Sequence, residues 1–335
     1  MNILVVLNLS AAHKEELERA APDAVFAYTT EEEVTEALLE WPEVIIGTPP
    51  ARLLSRANRL RWLQLGSSGA DAYVKPGILP KGVQLTTATG AFGVPLAEHL
   101  MGMLMFLCQQ HAAYWDDQRQ HRWEPKFSAK LLQGSRVLVV GLGDVGREFA
   151  TRMQAMGTTV IGVRRSDRTA EDCVNELVMF DQLDTQLPLA DVVALCLPSN
   201  AETRHLMNGE RLARMKPDAV LLNVGRGDAI DTDALSRLMK EGHLWGAGLD
   251  VTEIEPLPAS SPLWDTPNLL ITPHAAGRDH VDYTLDVKVR IAASNLRHYL
   301  AGEPLANVVD FSTGYKQAGT GYPGSHRAAK QKYSE

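Results

Sequence analysis

Short apolar runs alternate with helical patterns along most of this chain. ILVVL at 3–7, VIIG at 44–47, the stretch from Arg59 to Leu65 and VQLTTA at 83–88 each predict a strand, and Lys14 to Ala20 predicts a helix. Strands that alternate with helices build βαβ units and a parallel sheet. A long apolar helix beginning near Pro95, with Glu98 and His99 close to its start, closes this region. A polar, aromatic-rich segment follows, HAAYWDDQRQHRWEP at 111–125. The alternation then resumes with RVLVVGLGDVGREFA (136–150), TTVIGV (158–163), DVVALCLP (191–198), AVLLNVG (219–225), WGAGLDV (245–251) and NLLITPH (268–274). These predict a second doubly wound sheet, followed by a helix from about Val281 to Leu300. From Ser312 onward Gly, Lys, Ser and Gln dominate without apolar periodicity, which predicts a flexible tail.

A chain of 335 residues is too long for one ordinary core and predicts two domains. The formal net charge of -8 argues against binding to a nucleic-acid backbone, while leaving room for a local site for one small anion. The three cysteines, Cys108, Cys173 and Cys196, are far apart, and nothing has zinc-ligand spacing, so no metal is expected. MNILVVLNLS has no cationic start and reads as a first strand rather than a signal peptide. The apolar stretch Leu96 to Cys108 is too short to span a bilayer. A cytoplasmic protein without a membrane partner is the expectation.

Within V-L-V-V-G-L-G-D-V-G-R-E, the glycines Gly141, Gly143 and Gly146 fit G-x-G-x-x-G between a strand and a helix. In such a turn Gly141 permits the sharp bend and Gly143 lets a pyrophosphate approach the backbone. Gly146 lets the helix pack on the strand. The helix N-terminus, beginning with Asp144 and Val145, offers its amides and positive dipole end to phosphates. The next strand ends on Arg164 and Arg165, followed by Ser166. An NAD site usually places a carboxylate there for the ribose hydroxyls, whereas arginine suits the 2′-phosphate of NADP. NADPH is therefore the expected cofactor, with NAD as the alternative.

Three later stretches each follow an apolar strand: N-V-G-R-G-D-A-I-D (223–231), L-D-V-T-E-I-E-P-L-P (249–258) and I-T-P-H-A-A-G (271–277). Ligands of open α/β sheets bind beyond the carboxyl ends of strands, so Arg226, Glu255 and His274 are candidates to converge. With GLGDVG and LPSNAETRHLMN before them, these stretches resemble the D-isomer-specific 2-hydroxyacid dehydrogenase family from the first strand to about Leu305. Within the family the chain looks closest to glyoxylate/hydroxypyruvate reductases.

The resemblance implies an active site of Arg226, Glu255 and His274, the E-P-L pattern selecting Glu255 over Glu253. The chemistry agrees with the residue types. Histidine holds and donates a proton near neutral pH, a carboxylate beside it favours the imidazolium, and arginine binds the carboxylate of a small 2-oxo acid. The glycine-serine loop Ser67, Ser68 and Gly69 is implied to bind that carboxylate as well. The resemblance further implies cofactor contacts at Leu197, Pro198, Val224, Asp250, His274 and Gly277.

The expected fold is α/β, with two doubly wound parallel-sheet domains around a cleft, a Rossmann-type cofactor domain and a flavodoxin-like substrate domain. The substrate domain is expected at 1–97 plus 285–311, the dinucleotide-binding domain at 98–284 and the tail at 312–335. A homodimer is implied, with 111–125, including Trp115 and Trp123, as the interface candidate. Two rival readings are an NAD-linked dehydrogenase of phosphoglycerate or formate type and a dinucleotide-sensing corepressor-like binding module.

Overall fold

The computed structural model of the chain describes residues 1–165, 172–277, 281–317 and 319–322. By its contacts the chain divides into two units, Met1–Phe92 with Asp279–Glu335, and Gly93–Arg278. The sequence places the first join at 97/98. In the structure it falls ahead of the helix Gly93–Cys108, because Ala97, Leu100, Met103 and Leu104 of that helix pack against Val137 and Val139 of the second unit.

The first unit carries β1 (Asn2–Val6), β2 (Val25–Thr29), β3 (Val44–Gly47), β4 (Trp62–Leu65) and β5 (Gln84–Thr86). Their order is β2-β1-β3-β4-β5 and every pairing is parallel, the flavodoxin-like arrangement. Successive residues of β1 serve opposite faces. Ile3 and Val5 pack with Val289 and Leu296, while Leu4 and Val6 pack with Leu54 and Leu63. A strand covered on both sides has to be apolar throughout, which explains the unbroken ILVV run. Helix Ala11–Ala20 begins at Ser10, whose Oγ accepts from the His13 amide at 3.3 Å. Helix Asp282–Ala301 ends on Gly302 in the left-handed region. Trp62 is fully buried, donates to Thr86 Oγ1 at 2.9 Å and stacks on Tyr299.

The second unit carries β6 (Arg136–Val140), β7 (Thr159–Arg164), β8 (Glu176–Met179), β9 (Val192–Leu195), β10 (Val220–Asn223), β11 (Gly246–Leu249) and β12 (Leu269–Ile271). The order β12-β11-β10-β9-β6-β7-β8 is all parallel. Counted from β6 this is the 3-2-1-4-5-6 order of a Rossmann sheet, extended by β12. The order reverses between β6 and β9, and the glycine turn follows β6 at that point. Among the described residues no helix is long and apolar enough to cross a membrane.

The segment after Ser312, expected within a flexible tail, is held in part. β13 (Val309–Asp310) pairs antiparallel with β14 (Tyr315–Lys316), and the Tyr322 amide donates to Asn307 Oδ1 at 3.2 Å. Strands of two residues are too short to leave an apolar period, so the sequence carries no sign of them.

Asp191, just before β9, ties together the amino ends of the central strands of the second sheet. It accepts from the Arg136 amide at 2.8 Å and from Lys216 Nζ at 2.5 Å. Burial pushes its carboxyl up, but these two donors outweigh burial and hold it below the usual carboxylate range. A group depressed in this way stabilises the fold above its unfolded pKa, and the contribution disappears as pH falls through the folded pKa. Asp191→Asn is therefore expected to unfold at lower temperature than the parent at pH 7. The gap should close as pH falls below about 4, followed by thermal unfolding across pH.

Candidate active site

The glycine turn forms the cradle that a dinucleotide phosphate requires. Gly141 has φ of 100°, and a Cβ there would stand 2.7 Å from the Cys196 carbonyl oxygen. Gly146 lies so close that a Cβ would collide with the Gly141 carbonyl oxygen, so the helix Asp144–Ala155 reaches the strand only with glycine at this position. Gly143 is the N-cap and brings no side chain over the first-turn amides. Asp144 opens the helix with its carboxylate turned against Gly93, and half-buried Val145 follows it. These residues fit a bound dinucleotide, phosphates against the helix N-terminus.

Arg164 is the last residue of β7. Arg165 follows, exposed, with Nη1 3.5 Å from Glu202 Oε2. Ser166 lies outside the described residues. Leu197 and Pro198, beyond β9, are half-buried, and Val224, beyond β10, is buried with its amide on the Leu195 carbonyl at 3.3 Å. Burial pushes the Cys196 thiol up to about 12, away from the nucleophilic thiolate.

Because β10, β11 and β12 are parallel neighbours, the loops that follow them share one edge of the sheet. Arg226 stands in the first loop. Buried Asn223 shapes it, accepting from the Gly225 amide at 3.0 Å and donating to the Arg226 carbonyl at 2.9 Å. Arg226 Nη1 also donates to the Gly225 carbonyl at 2.9 Å. Glu255 stands in the second loop, its Oε1 accepting from the Thr252 amide at 3.1 Å. His274 stands in the third with φ of 50°, a left-handed conformation that histidine enters more readily than most side chains. Its Nδ1 lies 2.7 Å from Glu255 Oε2. The imidazole and carboxylate thus meet, with the guanidinium on the adjoining loop.

Asp250 is one of the residues implied to contact the cofactor. In the structure it is buried and holds the His274 loop. Its Oδ1 accepts from Thr272 Oγ1 at 2.6 Å and from the Ala275 amide at 2.9 Å, and its Oδ2 accepts from the Ala276 amide at 3.2 Å. Its own carbonyl accepts from the His274 amide at 2.7 Å. Asp250 is therefore a turn cap that sets the direction of His274. Gly277, at the end of this loop, has φ of 67°.

In the first unit the Ser67–Gly69 loop directly follows β4 and Gly66. Ser67 Oγ donates to the Gly69 carbonyl at 2.7 Å, and the Ser67 carbonyl accepts from the Ala88 amide at 2.9 Å.

The family model described as "D-isomer specific 2-hydroxyacid dehydrogenase, NAD binding domain" matches residues 101–276. The chain belongs to the D-isomer-specific 2-hydroxyacid dehydrogenases. It is an α/β oxidoreductase dependent on NAD(P). Among its relatives is a glyoxylate reductase of Thermofilum pendens, 32% identical over 265 residues, which span 76% of this chain and 76% of that protein. A crystal structure of a family protein from Aeromonas salmonicida superposes with a TM-score of 0.83 at 33% identity, covering 92% of this chain and 99% of that one. A family dehydrogenase from Xanthobacter autotrophicus, solved with NADPH and MES, has a TM-score of 0.74 at 30% identity and covers 94% of this chain and 99% of its own.

Several residues that shape this dehydrogenase's candidate site escape a reading of the sequence. His99 Nε2, on the helix Gly93–Cys108, lies 3.0 Å from Thr272 Oγ1 and 3.6 Å from Asp250 Oδ1. Thr252 orients Glu255, and Asn223 shapes the Arg226 turn. No local spacing announces such partners. Only the proximity of Asn223 to the R-G motif offers a hint.

Proposed function

We propose that this dehydrogenase reduces a small 2-oxo acid of the glyoxylate or hydroxypyruvate type to the D-2-hydroxy acid, with NADPH preferred. The observation that carries the reading is the His274–Glu255 hydrogen bond at the carboxyl edge of the sheet that bears the glycine turn. The two side chains are 43% and 38% exposed, so the pair is within reach of a ligand rather than sealed in a core.

Glu255 engages Nδ1 of His274 at 2.7 Å, and Nε2 is assigned to the substrate oxygen. Protonated, the ring donates from Nε2, and the carboxylate stabilises the imidazolium and keeps it oriented. Arg226 binds the substrate carboxylate and polarises the carbonyl. The Ser67, Ser68 and Gly69 loop offers amides of the kind that bind a carboxylate. Gly141, Gly143, Asp144, Val145 and Gly146 hold the pyrophosphate, and Leu197, Pro198, Val224 and Gly277 line the nicotinamide side. Asp250 serves that side through the loop it anchors. Arg164, Arg165 and Ser166 receive the 2′-phosphate. When bound, the reduced nicotinamide supplies hydride to the carbonyl carbon.

The arginines at the end of β7 support NADPH, since a carboxylate there would repel a 2′-phosphate, and the NADPH complex of the Xanthobacter relative supports it further. A homodimer is supported by one segment that exposes Trp115, Trp123, Phe127 and Leu131, from 61% to 100% of each residue. Monomers seldom leave such a patch in water. Cys108, Cys173 and Cys196 form no disulfide with one another, which suits a reducing cytoplasm.

A panel of glyoxylate, hydroxypyruvate, pyruvate, bulkier and phosphorylated 2-oxo acids, each with NADPH and NADH, tests the reading. The highest kcat/KM is expected for glyoxylate or hydroxypyruvate with NADPH. Preference for a phosphorylated acid with NADH would favour the phosphoglycerate-type alternative. Cofactor binding without turnover on any member would favour the binding-module alternative.

A further inference from the structure

The E-P-L pattern passes over Glu253, yet the structure provides that carboxylate with a histidine of its own. His205 Nε2 lies 2.6 Å from Glu253 Oε1. The loop after β11 therefore holds two imidazole–carboxylate pairs, His205–Glu253 and His274–Glu255. The His205 pair ties three loops together. The His205 amide donates to the Asp228 carbonyl at 2.7 Å, and Ser199 Oγ donates to Asp228 Oδ2 at 2.6 Å, which joins the loops after β9 and β10. Gly227, next to Arg226, lies so close to the loop after β11 that a Cβ would collide with the Thr252 carbonyl. Inside that loop the Thr252 amide donates to Glu255 Oε1 at 3.1 Å, and Thr252 Oγ1 donates to the Ile254 carbonyl at 2.9 Å. Burial pushes the Glu253 carboxyl up, but hydrogen bonds from His205 and Thr232 prevail and hold it below the usual carboxylate range.

We infer that His205 and Glu253 are positioning residues, whose pair anchors the loop after β11 so that Glu255 stays aligned with His274 and Arg226 stays beside them. The inference rests on the reading of His274 as the proton donor. Neither residue needs to touch substrate. The loop is held from outside by the His205–Glu253 pair and from inside by Thr252, and Glu255 lies between those holds and His274. A catalytic carboxylate that drifts by a fraction of an ångström loses much of its effect, because the tautomer and aim of the imidazole depend on it.

The test compares His205→Ala, Glu253→Gln and His205→Gln, the last of which keeps a donor near the Nε2 position. For the preferred 2-oxo acid with NADPH, His205→Ala and Glu253→Gln are expected to lower kcat by about tenfold. The KM for NADPH should stay within about twofold, and His205→Gln should recover most of the loss. In parallel, two-bond ¹H–¹⁵N spectra of ¹⁵N-histidine-labelled protein report the His274 tautomer, the signal being assigned by its disappearance in His274→Asn. The parent should show predominantly Nδ1–H, and His205→Ala and Glu253→Gln a mixture. An unchanged kcat in His205→Ala, or an unchanged His274 tautomer, would overturn the inference. A parent that reduces no 2-oxo acid would instead count against the proposed activity, and the tautomer measurement would still decide whether the clamp exists.

Discussion

Replacing His274 with alanine is expected to lower kcat/KM for 2-oxo acid reduction by about a thousandfold, within the range of a lost general acid. NADPH should continue to bind. The imidazole is joined to Glu255 through Nδ1 at 2.7 Å, and the proposed proton donor to a substrate oxygen is its Nε2 edge. Without the ring, water has to protonate a developing alkoxide, and the stabilising charge is lost along with the donor. The fold should survive. Glu255 is partly exposed, so losing its partner strands no deeply buried charge, and the backbone of the His274 loop is held by Asp250. The glycine cradle after β6 is built from other residues, so fluorescence titration should return a Kd for NADPH close to that of the parent. Near-normal turnover in this variant would remove His274 from the proton-transfer role.

Exchanging both Arg164 and Arg165 for serine is expected to shift the ratio of kcat/KM for NADPH over NADH towards NADH by about a hundredfold. A hydrogen bond to a charged group contributes about 1.5–3 kcal/mol, and about 1.4 kcal/mol is a factor of ten in affinity. Two arginines on one 2′-phosphate therefore account for two decades. The Arg165–Glu202 pair does not oppose this. At 3.5 Å and with both side chains exposed, it is worth little in water and yields readily to a phosphate. NADH carries no charge at that position, so its rate should change far less than that of NADPH. Initial rates with each cofactor at several concentrations supply the ratio. An unchanged ratio would mean that the two arginines face solvent without reading the cofactor.

Much of the fold is legible in the residues, and the gaps have a common cause. β6 runs from Arg136 to Val140 as its apolar run announces, and the central strands of both sheets are apolar because both faces are covered. The missed strands, β2 and β8, lie at sheet edges. VFAYT and ELVM are mostly half-exposed, so their short apolar runs lack the two-sided burial that marks the central strands. The short hairpin of β13 and β14 escapes for lack of length. Within the candidate site, the glycine turn, Arg226, Glu255 and His274 stand out because each occupies a recognisable local pattern. Glu253 does not, since its meaning depends on His205 in another loop. Asp250 stands out by its place after a strand, and the structure adds that its carboxylate caps the turn of the His274 loop.

By itself the sequence determined the alternation of strands and helices, the two parallel sheets, the glycine turn and the three loops that carry an arginine, a glutamate and a histidine. These follow from period and from conformational demands within a few residues, which short-range sterics and burial decide. Tertiary structure alone decided which side chains pair. His99 reaches Thr272 across 173 positions and His205 reaches Glu253 across 48. Strand order sets such pairings, because parallel crossovers bring the carboxyl ends of β9 to β12 to one edge whatever the lengths of chain between them.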